Sequence, residues 1–156
     1  MSQSQMAWGK LALLAVAGGL GFWFANLAIS LTPLAAEYRE ALSIQYLPML
    51  LEALLGGLLI GFCVSYFLLR FFDRIPSTSP MVKSLLLCCA VFVVVTLIVE
   101  GPAKFGTAGS DAWRYFLIAA LFNGLRILAL GVAIGYLFGW LDRHHRHEVG
   151  SAPGAL

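Results

Sequence analysis

Charged residues are scarce in this chain, and their scarcity excludes most soluble architectures. Lys, Arg, Asp and Glu make up 12% of the 156 residues, whereas hydrophobic residues make up 60%. A typical soluble domain is about one quarter charged and about one half apolar. A soluble core of this length cannot bury so much apolar surface, so the composition predicts that lipid solvates it. The net charge of +2 argues against nucleic acid as a partner.

Histidine is also rare, and it is absent from the segments where catalysis in a membrane would need it. The three histidines, His144, His145 and His147, all follow the last apolar run. The apolar runs therefore hold no serine–histidine pair, no H-E-x-x-H motif and no haem-ligand pair. We interpret the histidine segment as a basic cap that meets anionic lipid, with metal binding as the alternative.

The cysteines are few and lie inside apolar runs, at Cys63, Cys88 and Cys89. Adjacent cysteines on a helix diverge by about 100° and rarely bridge. Because no C-x-x-C motif is present, we interpret all three as small apolar side chains. The sequence thus predicts no catalytic residue, no metal and no cofactor, and enzymatic activity is the weakest of the function classes.

Four apolar runs are each long enough to cross a bilayer, which takes about 20 residues. The first run is longer than the signal-peptide core of about 7–15 residues, so we predict a retained helix, with cleavage before Glu37 as the alternative. The predicted fold is all-α, an integral membrane four-helix bundle that forms one domain over residues 1–156. The predicted spans cover residues about 8–31, 47–71, 81–100 and 112–141, and a short disordered tail covers about 148–156.

The Lys and Arg residues at the ends of the spans and in the loops are divided unequally between the two sides of the predicted bundle. One side carries Lys10, Arg70, Arg74, Lys83, Arg143 and Arg146, and the other carries Arg39, Lys104 and Arg114. An excess of Lys and Arg marks the cytoplasmic side. We therefore predict cytoplasmic N and C termini in a multi-pass protein of the plasma (inner) membrane. The outer segment 33–46 is either a short amphipathic helix on the surface or a solvated loop.

Two charges lie inside the apolar runs, Glu52 in the second and Arg126 in the fourth. Such charges normally face protein or water and mark a functional or pairing site. A rise of about 1.5 Å per residue puts Arg126 near the midplane, Asn123 and Asn26 about 6–7 Å outward and Glu52 about 10 Å outward. Since the long stem of Arg126 can extend outward, it can reach Glu52. These four residues form the predicted intramembrane polar cluster.

Three interpretations of this polar cluster stay open. A Glu52–Arg126 pair can hold helices in register. The cluster can instead form a proton or ion relay, or an anchor for a polar substrate. In the third interpretation Glu52 reaches interfacial water and never meets Arg126. Glu100, at the outer end of the third span, is predicted to be a solvated boundary charge.

Small residues recur every four positions on three of the spans, a spacing that lets helix backbones approach closely. The predicted packing glycines are Gly131, Gly135, Gly139, Gly57, Gly61 and Gly21. Their contacts lie either within one bundle or between molecules. The third span lacks glycine and is predicted to be the one that most faces lipid.

The leading functional hypothesis is a non-enzymatic polytopic membrane protein that acts by helix association. It would serve as an accessory or assembly subunit of a membrane complex, or as a self-associating scaffold, with the lipid bilayer and itself or another membrane protein as partners. The alternative is a small oligomeric transporter or channel that uses the polar cluster.

Overall fold

The computed structural model describes residues 3–107 and 111–150, and within these ranges the chain is helical without strands. The helices are α1 (Gln3–Ser30), α2 (Pro33–Ala41), α3 (Tyr46–Arg70), α4 (Pro80–Val95), α5 (Gly101–Thr107) and α6 (Ala112–Gly150). A 3-10 turn spans Phe72–Arg74, and a π-helical turn, Thr96–Glu100, joins α4 to α5. Helix α6 ends at Gly150, so it includes the first three residues of the tail predicted at 148–156, and the rest of that tail lies outside the described residues.

Four helical segments are long and apolar enough to cross a membrane: Trp8–Ser30, Tyr46–Arg70, Pro80–Ala103 and Ala112–Arg143. The all-helical class is therefore confirmed, and the four long apolar helices are compatible with the predicted membrane bundle. Because consecutive long helices run in opposite directions, the bundle has two distinct ends. One is the terminal end, where α1 begins and α6 finishes. The other is the α2 end, where α2 and α5 lie.

Helices α1 and α6 form the centre of the bundle. Helix α1 packs against α3 and α6, and α6 packs against α4 on its other side. Within one 18-residue apolar stretch of each span, 39% of the residues are buried in the first and fourth spans, against 17% in the second and 22% in the third. Helix α3 packs chiefly along α1, and the third span packs chiefly along α6. Over their whole lengths the second span has six buried residues and the third has four, so the third span stays the one predicted to face lipid most.

The close packing of α1 with α3 and α6 depends on glycine. A Cβ on Gly61 would lie 2.7 Å from the carbonyl oxygen of Ala15, and one on Gly57 would lie 3.1 Å from the carbonyl oxygen of Gly19. A Cβ on Gly21 would lie 3.1 Å from the carbonyl oxygen of Ala129 in α6. Backbone atoms cannot give way as the end of a side chain can, so these contacts require a residue without a side chain.

Glycines also allow close packing of α6 against α4, except at Gly139. A Cβ on Gly131 would lie 2.7 Å from Cys88 Sγ, and one on Gly135 would lie 2.8 Å from the Cα of Met81. Beside them, the Ser84 hydroxyl donates to the carbonyl of Gly131 at 2.8 Å. Gly139 has nothing within 4 Å of such a Cβ. Five of the six predicted packing glycines thus make their close contacts inside one chain.

The third span continues as a helix beyond the residue where the sequence predicts its end. In the π-helical turn the N–H of Gly101 donates to the carbonyl of Thr96. Pro102 has no N–H to donate, and its ring would clash with a carbonyl one turn earlier, so the wider turn accommodates it. Helix α5 then continues from Gly101 to Thr107, beyond the predicted end of the span at residue 100.

The terminal end holds a densely packed aliphatic core and an unexpected buried lysine. Lys83 is only 5% exposed. Its ammonium donates to the carbonyl of Phe72 and lies 3.6 Å from the centroid of the Phe72 ring. The Phe72 ring in turn stacks on Phe138, and the Lys10 ammonium lies 4.2 Å from the Phe138 centroid. Lys83 is thus a packing residue, whereas the sequence analysis counted it only among the charges that orient the bundle.

Candidate functional site

A cavity of ≈ 230 Å³ lies at the α2 end, between α1, α3 and α6. Its polar lining residues are Asn26, Ser30, Tyr38, Arg39, Glu52, Glu100 and Arg126. Three members of the predicted polar cluster are among them. The fourth, Asn123, is hydrogen-bonded to Glu100 and Arg126. The structure therefore brings the four predicted residues to one site, which we call the α2-end cavity.

Asn26 of α1 is the most deeply buried polar residue of this cavity. Its side chain is 0% exposed, and neither its amide nitrogen nor its carbonyl oxygen has a hydrogen-bond partner. A buried amide without partners costs about 1–3 kcal/mol by mutational measures. Since native proteins satisfy nearly all such groups, an amide left unpaired beside a cavity points to a partner inside that cavity.

Arg126 of α6 belongs to a chain of hydrogen bonds that crosses to the third span. Its Nη1 donates to Asn123 Oδ1 at 3.2 Å, and Asn123 Nδ2 donates to Glu100 Oε1 at 2.9 Å. Arg126 is also attracted electrostatically to Glu100. Its Nε is buried and has no hydrogen-bond partner. One edge of the guanidinium is thus held by the protein, and the buried Nε–H remains for another acceptor.

Glu100 is therefore not the solvated boundary charge that the sequence pattern predicts. It is half-buried, and its carboxylate accepts a hydrogen bond from the Asn123 amide. The π-helical turn that Pro102 requires ends at Glu100, and the changed helical phase turns this residue toward α6. A signal in the sequence was the Glu-Gly-Pro triplet at 100–102, because a proline within an apolar run marks an altered helix.

Glu52 lines the same cavity but does not pair with Arg126. Within the described part of the chain no ion pair joins them, and the Glu52 side chain lies exposed in the second turn of α3. The expected Glu52–Arg126 pair is absent because Asn123, one turn away on the same helix, holds the guanidinium toward Glu100. Glu52 and Arg126 thus face one space from different helices.

Helix α2 covers the cavity and settles the alternatives left open for segment 33–46. Thr32 caps its first turn, where Pro33 needs no N–H partner. Ala35 is buried, and the Tyr38 ring meets Phe122 edge to face at 5.7 Å between centroids. Residues 33–41 are therefore a short amphipathic helix packed on α1 and α6, and residues 42–45 connect it to α3.

The rim of the cavity is fixed by contacts among α1, α2 and α3. Arg39 Nη1 donates to the carbonyl of Ser30 at 2.9 Å, and its guanidinium lies 5.2 Å from the Tyr46 ring centroid. The Ser30 and Tyr46 hydroxyls are 3.3 Å apart. Trp23 Nε1 donates to the carbonyl of Leu50 at 3.2 Å. The sequence analysis placed Arg39 in a segment that was either a short helix or a loop, and its short spacing from Ser30 gave no signal of this contact.

The cavity does not continue to the terminal end. Phe22, which lies one turn before Asn26, and Ala53 and Ile127, which directly follow the cavity residues Glu52 and Arg126, belong to a buried apolar cluster. Farther along, the cluster includes five side chains with at most 1% exposure: Leu14, Val64, Leu68, Leu130 and Ile134. These aliphatic side chains leave no polar route, so the site reaches only one end of the bundle in this conformation.

No other feature of the described residues offers a competing reactive centre. The three cysteines are free thiols, and no group of three or more His, Cys, Asp or Glu side chains is placed to hold a metal ion in that part of the chain. The side chains of the histidine segment lie outside the described residues. No family model, curated protein or solved structure matches this chain. The function of the site therefore has to be argued from its own geometry.

Proposed function

We propose that this protein binds a small polar solute in the α2-end cavity and acts as a subunit of a small oligomeric transporter. The observation that carries the proposal is the Asn26 amide, which is wholly buried, unpartnered and part of the lining of the cavity. A few convergent polar groups in an otherwise apolar pocket are typical of ligand sites. Charged residues inside membrane spans mark substrate pathways in the same way.

The one-sided cavity supports a transporter rather than an open channel. A channel needs a continuous polar path, whereas an aliphatic cluster closes this site toward the terminal end. Transporters bind substrate near the midplane and expose the site to one side at a time. Four helices enclose little more than the cavity itself, so passage across the membrane requires further copies or a partner. Association between molecules therefore remains part of the proposal. The packing glycines give it little support, because five of the six make their close contacts with other helices of the same chain.

The proposed orientation follows from the Lys and Arg distribution, with both termini in the cytoplasm of a plasma (inner) membrane protein. The α2-end cavity would then face outside. A cysteine at Ser43, exposed between α2 and α3, should react with an impermeant thiol reagent from outside, and one at Ser79 only from the cytoplasm. A background lacking the native cysteines serves as control. Reversed labelling would place the cavity on the cytoplasmic side.

Ligand binding can be tested by the thermal unfolding of the purified full-length protein in detergent. A panel of amino acids, polyols, polyamines and dicarboxylates should contain at least one solute that raises the unfolding temperature, because a ligand that binds only the folded state stabilises it. Asn26→Leu should abolish that rise. It should leave the protein without ligand as stable as before or more stable, since a similar-sized apolar side chain replaces an unpaired amide.

Ser65→Ala is the matched control. The Ser65 hydroxyl is also fully buried and unpartnered, but it does not line the cavity. Its variant should keep the response to solute. The proposal fails if no solute in the panel stabilises the protein, or if Asn26→Leu responds as the unaltered protein does. A positive solute should also enter proteoliposomes that contain the protein, and faster entry than into empty vesicles would support transport.

A further inference from the structure

The charges around the α2-end cavity restrict the kind of solute that it can hold, an inference that rests on the proposed binding function. Two cationic side chains, Arg39 and Arg126, and two carboxylates, Glu52 and Glu100, line the cavity, so their formal charges sum to zero. A solute with a net charge would leave one charge uncompensated next to the buried Nε of the Arg126 guanidinium, which is costly. A solute with no net charge avoids that cost.

Two of these charges are already engaged by the protein. Arg39 donates to the Ser30 carbonyl and lies over the Tyr46 ring. Glu100 accepts from the Asn123 amide. Arg39 and Glu100 form part of the cavity wall. A solute would gain less binding energy from them, because both already have hydrogen-bond partners in the protein.

The other two charges offer complementary groups from different helices. The Glu52 carboxylate, on α3, takes part in no hydrogen bond or ion pair with the described residues. The Arg126 Nε–H, on α6, is buried and unpartnered. Asn26, on α1, adds one free donor and one free acceptor. A matching solute presents a cationic donor to Glu52 and an anionic acceptor to Arg126.

We propose that the ligand of this cavity is a small zwitterion that carries an ammonium group and a carboxylate or phosphate. The ammonium would donate to Glu52, the anionic group would accept from Arg126 Nε, and Asn26 would bond to either. The volume of ≈ 230 Å³ lies below the range of about 300–1,000 Å³ typical of drug-sized ligands, which favours a molecule of amino-acid size. A free amino acid and the headgroup of an ethanolamine phospholipid share this chemistry.

The charge requirement can be tested with matched solutes on the full-length protein in detergent. The free zwitterions are glycine, L-alanine and β-alanine, and glycerophosphoethanolamine represents the lipid headgroup. L-alaninamide lacks the carboxylate, and L-lactate lacks the ammonium. At least one zwitterion should raise the unfolding temperature, and L-alaninamide and L-lactate should require at least about tenfold higher concentration for an equal rise, because each loses one charge-assisted hydrogen bond.

Glu52→Gln should weaken the response to the active zwitterion by about tenfold or more. Glu40→Gln, an exposed residue of α2 away from the cavity lining, should leave that response unchanged. A rise with glycerophosphoethanolamine alone would assign the ligand to lipid, and a rise with an amino acid would assign it to free solutes. Both results support the zwitterion.

The outcomes also separate this inference from the proposed function. If a polyol, a polyamine or a singly charged solute stabilises the protein through Asn26 and no zwitterion does, the zwitterion is wrong and ligand binding stands. An undiminished response in Glu52→Gln would also overturn the assignment. If no solute of any class stabilises the protein, both proposals fail, and the cavity holds water only.

Discussion

The two ends of this bundle are built on opposite principles. Toward the terminal end, glycines let backbones touch, aliphatic side chains fill the interior, and even the Lys83 ammonium is bonded and covered by an aromatic ring. Toward the α2 end, the helices leave a cavity, the Asn26 amide has no partner, and Arg126 is bonded along one edge only. Functional sites commonly carry unsatisfied groups that the rest of the fold has to offset. The contrast indicates that the terminal end supplies stability and the α2 end supplies specificity.

The largest effect that this comparison predicts is at Gly135, in the packed contact between α6 and α4. In Gly135→Leu the new side chain would meet the Cα of Met81 and the Cβ of Ser84, so we expect the free energy of unfolding to fall by about 3 kcal/mol. Thermal unfolding in detergent measures this loss. Gly139→Leu, one turn away on the same helix, adds the same side chain where no atom lies within 4 Å and should change stability little.

The same pair of variants tests where the glycine stripe acts. Because Gly135 contacts α4 of its own chain, its substitution should destabilise the single molecule. If Gly135→Leu leaves stability unchanged but reduces crosslinked dimers, the close contact lies between molecules and the internal packing is wrong. If Gly139→Leu alone reduces crosslinking, the exposed end of the stripe is an association surface.

The fold was largely predictable because lipid solvation imposes a simple rule on sequence. Four runs of membrane length identified the four spans, and four-residue spacing identified Gly57, Gly61 and Gly131 as close-packing positions. Spacing did not tell which helices these glycines would meet. Order around the bundle depends on side-chain fit, so the central places of α1 and α6 could not be inferred from hydropathy.

The sequence predicted which residues lie at the candidate site, but not which of them bond to one another. Depth along each helix placed Asn26, Asn123 and Arg126 at compatible levels, because helix rise is fixed. The partner of Arg126 was misjudged, because that choice depends on helix rotation. The π-helical turn before Pro102 rotated Glu100 inward, and Asn123 drew the guanidinium to it. A local distortion of the backbone thus decided which carboxylate joined the network.

An intermediate effect is predicted for the two carboxylates of the cavity. Glu100→Gln removes the charge that accepts from Asn123 and attracts Arg126, so it should lower the free energy of unfolding by about 1.5–3 kcal/mol. Glu52→Gln removes a carboxylate without a protein partner and should change stability by less than about 0.5 kcal/mol. Unfolding of both variants without ligand makes the comparison. A larger loss in Glu52→Gln would show that Glu52 supports Arg126 after all.

The smallest effect is expected at the ion pair between Glu37 of α2 and Arg114 of α6. Their side chains are 53% and 55% exposed, and exposed pairs contribute about 0.2–1 kcal/mol. Glu37→Gln should therefore lower the free energy of unfolding by about 0.5 kcal/mol or less, and 1 M salt should remove the difference, since salt screens exposed charges over about 3 Å at that strength. Helix α2 stays over the cavity through buried Ala35 and the Tyr38–Phe122 contact, so the response to solute should persist. The opposite outcome is that Glu37→Gln abolishes the response to solute while stability is unchanged. That result would show that the Glu37–Arg114 ion pair, and not the apolar contacts of Ala35 and Tyr38, keeps helix α2 over the cavity.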